Sequence, residues 1–148
     1  MQKINKINLA NGLKSDLAIL IYILTAKIIL HCLLINQYGY HRDELATLED
    51  ALHLDWGFVA YPPLVPAVAR LGLELFGLHN MGFRLFSILA IALASLLSAR
   101  MAAEMGGKRL AQILTLLAVA FAPINMIQSS VLMYVSFDYL WWVALVYL

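Results

Sequence analysis

The chain has 148 residues, 63% of them hydrophobic and only 13% charged, with a formal net charge of +1. A soluble domain carries about 25% charged and 45–50% apolar residues, so a mean hydropathy of +0.81 points instead to an integral membrane protein. The near-neutral balance, without a basic block, excludes a nucleic-acid partner, and the single cysteine, Cys32, excludes a disulfide framework.

Residues 1–16 place Lys3, Lys6 and Lys14 ahead of an apolar run. That run, residues 17–35, exceeds the roughly 7–15 residues of a signal-peptide core, and no small-x-small cleavage site follows it. It reads as a retained anchor and the first spanning helix, close to the roughly 20 residues a bilayer requires. Lys27 falls at its middle. A lysine at that depth costs on the order of 2.5–3.5 kcal/mol, so it is expected to face protein. Its partner would be a buried acid or an anionic lipid group, or else the lysine snorkels or pairs structurally. Cys32 is expected to be an inert, buried thiol.

Residues 39–82 do not read as a span. Acids outnumber arginines there: Asp43, Glu44, Glu49, Asp50, Asp55 and Glu74 against Arg42 and Arg70. Residues 43–54 predict a short amphipathic helix, with Leu45, Leu48 and Leu52 recurring every three or four residues and Glu44, Asp50 and Asp55 elsewhere on the wheel. Such a helix lies in the membrane interface, apolar side down. Pro62-Pro63 then forces an extended segment. Residues 64–76, apolar but interrupted by Pro66, Arg70 and Glu74, read as a second interfacial helix.

Residues 84–105 form the second span. Ala90, Ala94, Ser98 and Ala102 repeat every four residues along it, a smooth stripe for close helix contact, and Arg100 and Glu104 are spaced as an i,i+4 pair. After the basic turn Gly106-Gly107-Lys108-Arg109, residues 110–127 are the third span, with Pro123 near its exit. Residues 131–148 begin a fourth helix, whose apolar run opens at Asp138 and stops after about ten residues, half of what a crossing needs. The chain is expected to be cut off inside that helix. The fold class is all-α integral membrane, in a single domain.

The positive-inside rule puts Lys3, Lys6 and Lys14 in the cytoplasm, and Arg100, Lys108 and Arg109 return to that side after two crossings. The acidic loop of residues 39–82 then faces outward. After the third span Asp138 is outward too, so Asp43, Glu44 and Asp138 are expected to share one face of the membrane.

The stretch richest in chemistry is Tyr38–Leu45, which holds His41, Arg42, Asp43 and Glu44 directly after a span. An acid at the start of a helix ordinarily caps it or rests on its dipole. Two adjacent carboxylates at a membrane exit can also take a proton from an incoming hydroxyl, and an arginine fork matches phosphate oxygens. His41 and His53 admit a divalent metal, but with these acids they follow no recognised ligand spacing. Trp56, Phe58, Tyr61, Trp141 and Trp142 read first as an interfacial aromatic belt and second as platforms for a sugar or a lipid carrier.

The run Gly39-Tyr40-His41-Arg42-Asp43-Glu44-Leu45, the run Trp56-Gly57-Phe58-Val59 into Pro62-Pro63-Leu64-Val65-Pro66, and Arg84-Leu85 at a helix start together resemble the N-terminal part of glycosyltransferase family 39. This family comprises the bacterial relatives of the protein O-mannosyltransferases and the lipid A aminoarabinose transferases. Glu104–Gly107 resembles its first inner turn, and Phe137-Asp138 the acid that opens its fourth helix. The resemblance implies a GT-C membrane fold in the bacterial inner membrane. It implies inverting transfer of a sugar from a polyprenyl-phosphate donor to an acceptor hydroxyl on a lipid, glycan or protein outside. Asp43 would be the base with Glu44 beside it, Asp138 a second acid shaping the site, and Arg42 and Arg84 phosphate contacts. Two features depart from the family. Ala46-Thr47 stand where aromatics are frequent, and the family has many more spans, so these 148 residues would form one wall of a site and be inactive alone. The rival expectation is a non-catalytic membrane scaffold, or a subunit that binds a lipid-linked substrate for a partner.

Overall fold

The computed structural model describes residues 16–59 and 62–148, and every regular element among them is an α-helix. In chain order these are α1 (Asp16–Leu34), α2 (Arg42–Leu52), α3 (Leu64–Phe76), α4 (Asn80–Glu104), α5 (Arg109–Ala120), α6 (Pro123–Ser129) and α7 (Tyr134–Tyr147). Lys3, Lys6, Lys14 and Tyr61 lie outside the described residues.

Two helices, α1 and α4, are long and apolar enough to cross a membrane, and α5 with α6 make a third if they count as one bent span. The chain is thus consistent with an integral membrane protein. Large apolar side chains such as Ile29, Leu33, Leu89 and Leu93 are exposed on these helices, as expected of surfaces that face lipid rather than water.

Helix α4 runs through the middle and packs against α1, α3, α5, α6 and α7. Small side chains let its neighbours approach: Ala90 and Ala94 of the predicted stripe are buried and Ser98 and Ala102 half-buried, while Ala92 and Ala99 on other faces are buried too. One apolar core joins α1, α4 and α5 through Leu20, Leu24, Ala92, Ala99 and Leu116. A second joins α2, α3, the start of α4 and the start of α7 through Ala51, Val65, Ala69, Phe83 and Leu132. The chain therefore has a bundle core and a separate core beneath its loop.

Close approaches set the turns. A Cβ on Gly72 would meet the Gly82 carbonyl at 2.9 Å, and one on Gly82 would collide with Phe76, so α3 and α4 cross where neither has a side chain. Helix α4 ends at Glu104, and Gly106 just beyond it has a φ of 88°, in the left-handed region that glycine adopts without strain, and the Gly107 N–H then bonds the Ala102 carbonyl at 2.8 Å. The return into α5 is fastened to the start of α1 by Arg109 Nε donating to Asp16 Oδ1 at 2.6 Å.

Two expectations need correction. The third span is not one straight helix: it breaks before Pro123 and α5 and α6 meet at 61°. Proline has no N–H and disfavours helical geometry in the residue before it, and Ala122 is accordingly extended (φ −53°, ψ 133°). Asn125 Nδ2 donates to the freed Val119 carbonyl at 2.7 Å, the kind of repair that a break at membrane depth requires. Second, Glu104 does not pair with Arg100 but accepts from the Tyr147 hydroxyl at 2.8 Å, which ties the far end of α7 to the far end of α4. Helix α2 leaves Leu45 and Leu52 exposed and buries Glu44, Thr47 and Ala51. The side packed on protein is the polar one, and the leucine side is turned away from the core.

Candidate functional site

Helix α2 begins where the loop after α1 turns. His41 is its N-cap, with extended backbone, and its Nδ1 accepts from the Asp43 N–H at 3.3 Å. Glu44, three residues on, reaches back to accept from the His41 N–H at 2.8 Å. This reciprocal capping satisfies N–H groups that a helix start leaves open. The same local rule that starts the helix sends its two adjacent carboxylates in different directions.

Glu44 goes inward and is 0% exposed. Arg84, at the start of α4, grips it with two prongs, Nε to Oε1 at 2.8 Å and Nη2 to Oε2 at 2.7 Å. The Leu132 N–H, just before α7, adds a third protein donor at 3.0 Å. Arg84 also donates to the carbonyls of Ile35 (3.0 Å), Tyr38 (3.4 Å) and Gly39 (2.7 Å). All five guanidinium N–H groups are therefore engaged within the chain. The pair clamps together the end of α1, the Tyr38-Gly39 loop, α2, α4 and the α6–α7 connection. Tyr40 lies against this clamp, its ring edge-on to Phe83 at 5.9 Å. Burial and the Glu44 charge raise its hydroxyl above the ordinary tyrosine value of 10.0, with Arg84 opposing.

Asp43 goes outward. Its side chain is 45% exposed, with one oxygen 3.7 Å from His41 Nδ1 and the other 3.9 Å from Arg42 Nε. Those are loose charge contacts rather than hydrogen bonds, so the carboxylate is presented at the helix start and not locked into the protein. Arg42 is 96% exposed. A cavity of about 530 Å³ opens beside this turn, lined by His41, Tyr40 and Arg84 and, on its far side, by His31, Met126 and Ser129.

The predicted site residues therefore divide. Asp43, Glu44, Arg42, His41 and Arg84 come together around one turn. Asp43 and Arg42 are free to meet a ligand, whereas Glu44 and Arg84 spend their hydrogen-bonding capacity on each other and the backbone. Asp138 is exposed one turn into α7, the helix whose approach Leu132 fixes to Glu44, so the three acids lie at one end of the bundle. His41 and His53 cap opposite ends of α2, about 18 Å apart at 1.5 Å per residue, and among the described residues no cluster of three metal-ligating side chains is present. Trp56 is 93% exposed, and Trp141 and Trp142 are exposed on α7.

Two participants were invisible in the sequence. The Leu132 contribution is a backbone N–H and leaves no mark on residue type. Ser129, on the far wall of the cavity, has one signal in the sequence, the polar pair Ser129-Ser130 at the end of an apolar run. No family model, no curated protein and no solved structure matches the chain.

Proposed function

We propose that this chain forms the acceptor-side wall of a membrane glycosyltransferase, moving a sugar from a polyprenyl-phosphate donor to an acceptor hydroxyl at the outer face. Asp43 is the base that takes the hydroxyl proton, and Arg42 is the cation beside it. The GT-C arrangement and the outward orientation belong to the same proposal. The supporting observation is the division of labour between neighbours: Glu44 is buried and four times hydrogen-bonded, while the side chain of Asp43, one residue away, is 45% exposed with only loose charge contacts to His41 and Arg42. A rigid anchor under a free carboxylate is what a positioned general base needs. Glu44 and Arg84 then act as positioning residues through the α2 turn. Asp138, at the same end, shapes the approach.

The test is Asp43→Asn in the full-length protein, assayed in membranes supplied with a polyprenyl-phosphate-linked sugar. The variant keeps the wild-type membrane level and loses transfer by at least 100-fold, the low end of general-base contributions. Wild-type turnover in Asp43→Asn would remove Asp43 from the mechanism and with it the reading.

A further inference from the structure

A cavity of about 510 Å³ lies between α2 and α3, away from the turn that Glu44 and Arg84 hold. Leu54, Asp55 and Trp56, which directly follow the C-cap His53 of α2, line one side of it. Pro63, the N-cap of α3, and Ala67, one turn into that helix, line the other. Asp43 stands at the opposite end of α2 and takes no part in it.

The polar side-chain content of this cavity is one carboxylate. Asp55 Oδ1 accepts from the Trp56 N–H at 2.7 Å, which fixes the acid beside the indole residue. Asp55 Oδ2 meets no donor among the described residues. Neighbouring side chains supply no counter-ion either, since His53 lies 3.2 Å from Glu49 and Arg70 is taken by Glu74 at 2.8 Å. Over residues 48–76 the acids are Glu49, Asp50, Asp55 and Glu74, and Arg70 alone of the lysines and arginines opposes them. The end of α2 and the start of α3 both abut the cavity, so their opposite poles offset and Asp55 sets the sign. Trp56 is 93% exposed, and the remaining walls, Leu54, Pro63 and Ala67, are apolar.

We infer that this cavity binds a quaternary ammonium group, seated against Trp56 with Asp55 as its counter-ion. The uncompensated carboxylate calls for a cation, and an indole offers the best aromatic face for one. The kind of cation follows from what the walls lack. A primary ammonium or a guanidinium brings several N–H groups that each need an acceptor, and the cavity offers a single carboxylate among apolar side chains. A hydrated metal ion would find too few oxygen ligands there. A trimethylammonium group has no N–H to satisfy, and its methyl groups gain from the contact with Leu54, Pro63 and Ala67. The site stands on its own walls and charge, whether or not the chain transfers sugar.

The experiment reads binding and not turnover. The full chain, purified in maltoside micelles, is titrated at constant ionic strength with choline, and saturation transfer to the choline methyl protons reports binding by NMR. Ethanolamine and dimethylbutanol, the uncharged isostere of choline, are scored by displacement. Choline binds saturably, and the other two displace it at least fivefold less well. Asp55→Asn and Trp56→Leu, both at exposed side chains and checked for helix content by circular dichroism, each weaken choline by about two- to fivefold, the scale of exposed cation–π contacts and surface ion pairs. Glu49→Gln leaves its affinity unchanged. Dodecyltrimethylammonium separates the two sources of the group: displacement at lower concentration than choline assigns it to a lipid headgroup, and equal displacement to a soluble ion. Ethanolamine as effective as choline would show a plain cation site, and dimethylbutanol as effective an apolar one. An equal loss in Glu49→Gln would show a general negative field in place of a pocket. Undiminished choline binding in Asp55→Asn or Trp56→Leu would put the ligand elsewhere, and no saturable binding to the wild type would leave no site. Each of these results overturns the inference.

Discussion

At the scale of single residues, the chain treats two adjacent carboxylates in opposite ways, leaving Asp43 half-exposed and burying Glu44 against Arg84. Glu44 and Arg84 are desolvated, and such a pair adds less to stability than its short distances imply, since removing both ions from water offsets much of their attraction. Removing one partner is another matter, because it strands the other. Glu44→Ala and Arg84→Ala are each expected to cost about 3–5 kcal/mol, and the double variant much less than their sum, measured by denaturant unfolding in micelles as a double-mutant cycle. Additive losses would show that the two side chains act separately. Tyr40 gives a pH-dependent counterpart. Its hydroxyl stays protonated in the folded protein to higher pH than in the unfolded chain, so its contribution is complete below pH 10 and falls as pH rises from there through the folded value. Tyr40→Phe is expected to flatten that alkaline loss of stability, and an unchanged slope would assign it to other groups.

At the scale of elements, the sequence showed the helices better than their faces. The bounds of α3 were legible because Pro62-Pro63 and Gly77 bracket them, and α1 because a uniform apolar run between charges has one reading. The wheel of α2 marks its leucine side for the membrane but is silent about the opposite side, where Glu44 is buried against protein. Glu44's partners lie 40 and 88 residues away, beyond any local pattern. Pro123 was visible, but only the geometry of Ala122 and the Asn125 bond show that the helix stops before it and restarts. The contact of α3 with α4 supplies the prediction at this scale. Gly82→Ala puts a methyl group against Phe76 and is expected to destabilise by about 1–3 kcal/mol, the range for overpacking, whereas Gly39→Ala, with open space around its Cβ position, is expected to change stability little. Equal effects from the two would mean that the crossing is looser than its geometry.

At the scale of the whole molecule, the described helices share two ends. One gathers the loop, the start of α4 and the α6–α7 connection around Glu44; the other gathers Asp16 with Arg109 and Glu104 with Tyr147. With Cys32 replaced by serine, single cysteines at Asp55 and Met133 are expected to react with a membrane-impermeant maleimide from one side, and one at Lys108 only from the other. Labelling of all three from the same side would contradict a transmembrane arrangement. The clamp also carries an order in time. A ribosome releases Ile35, Gly39 and Glu44 first, Arg84 well after them, and Leu132 88 residues behind Glu44. The turn that presents Asp43 is made early, yet its last hydrogen bond arrives only once α5 and α6 have been made and have delivered α7 to the right end. A chain that mislays those helices is left with an unsated carboxylate at its surface loop, so the same contact that steadies the turn also reports whether the later helices were put in place.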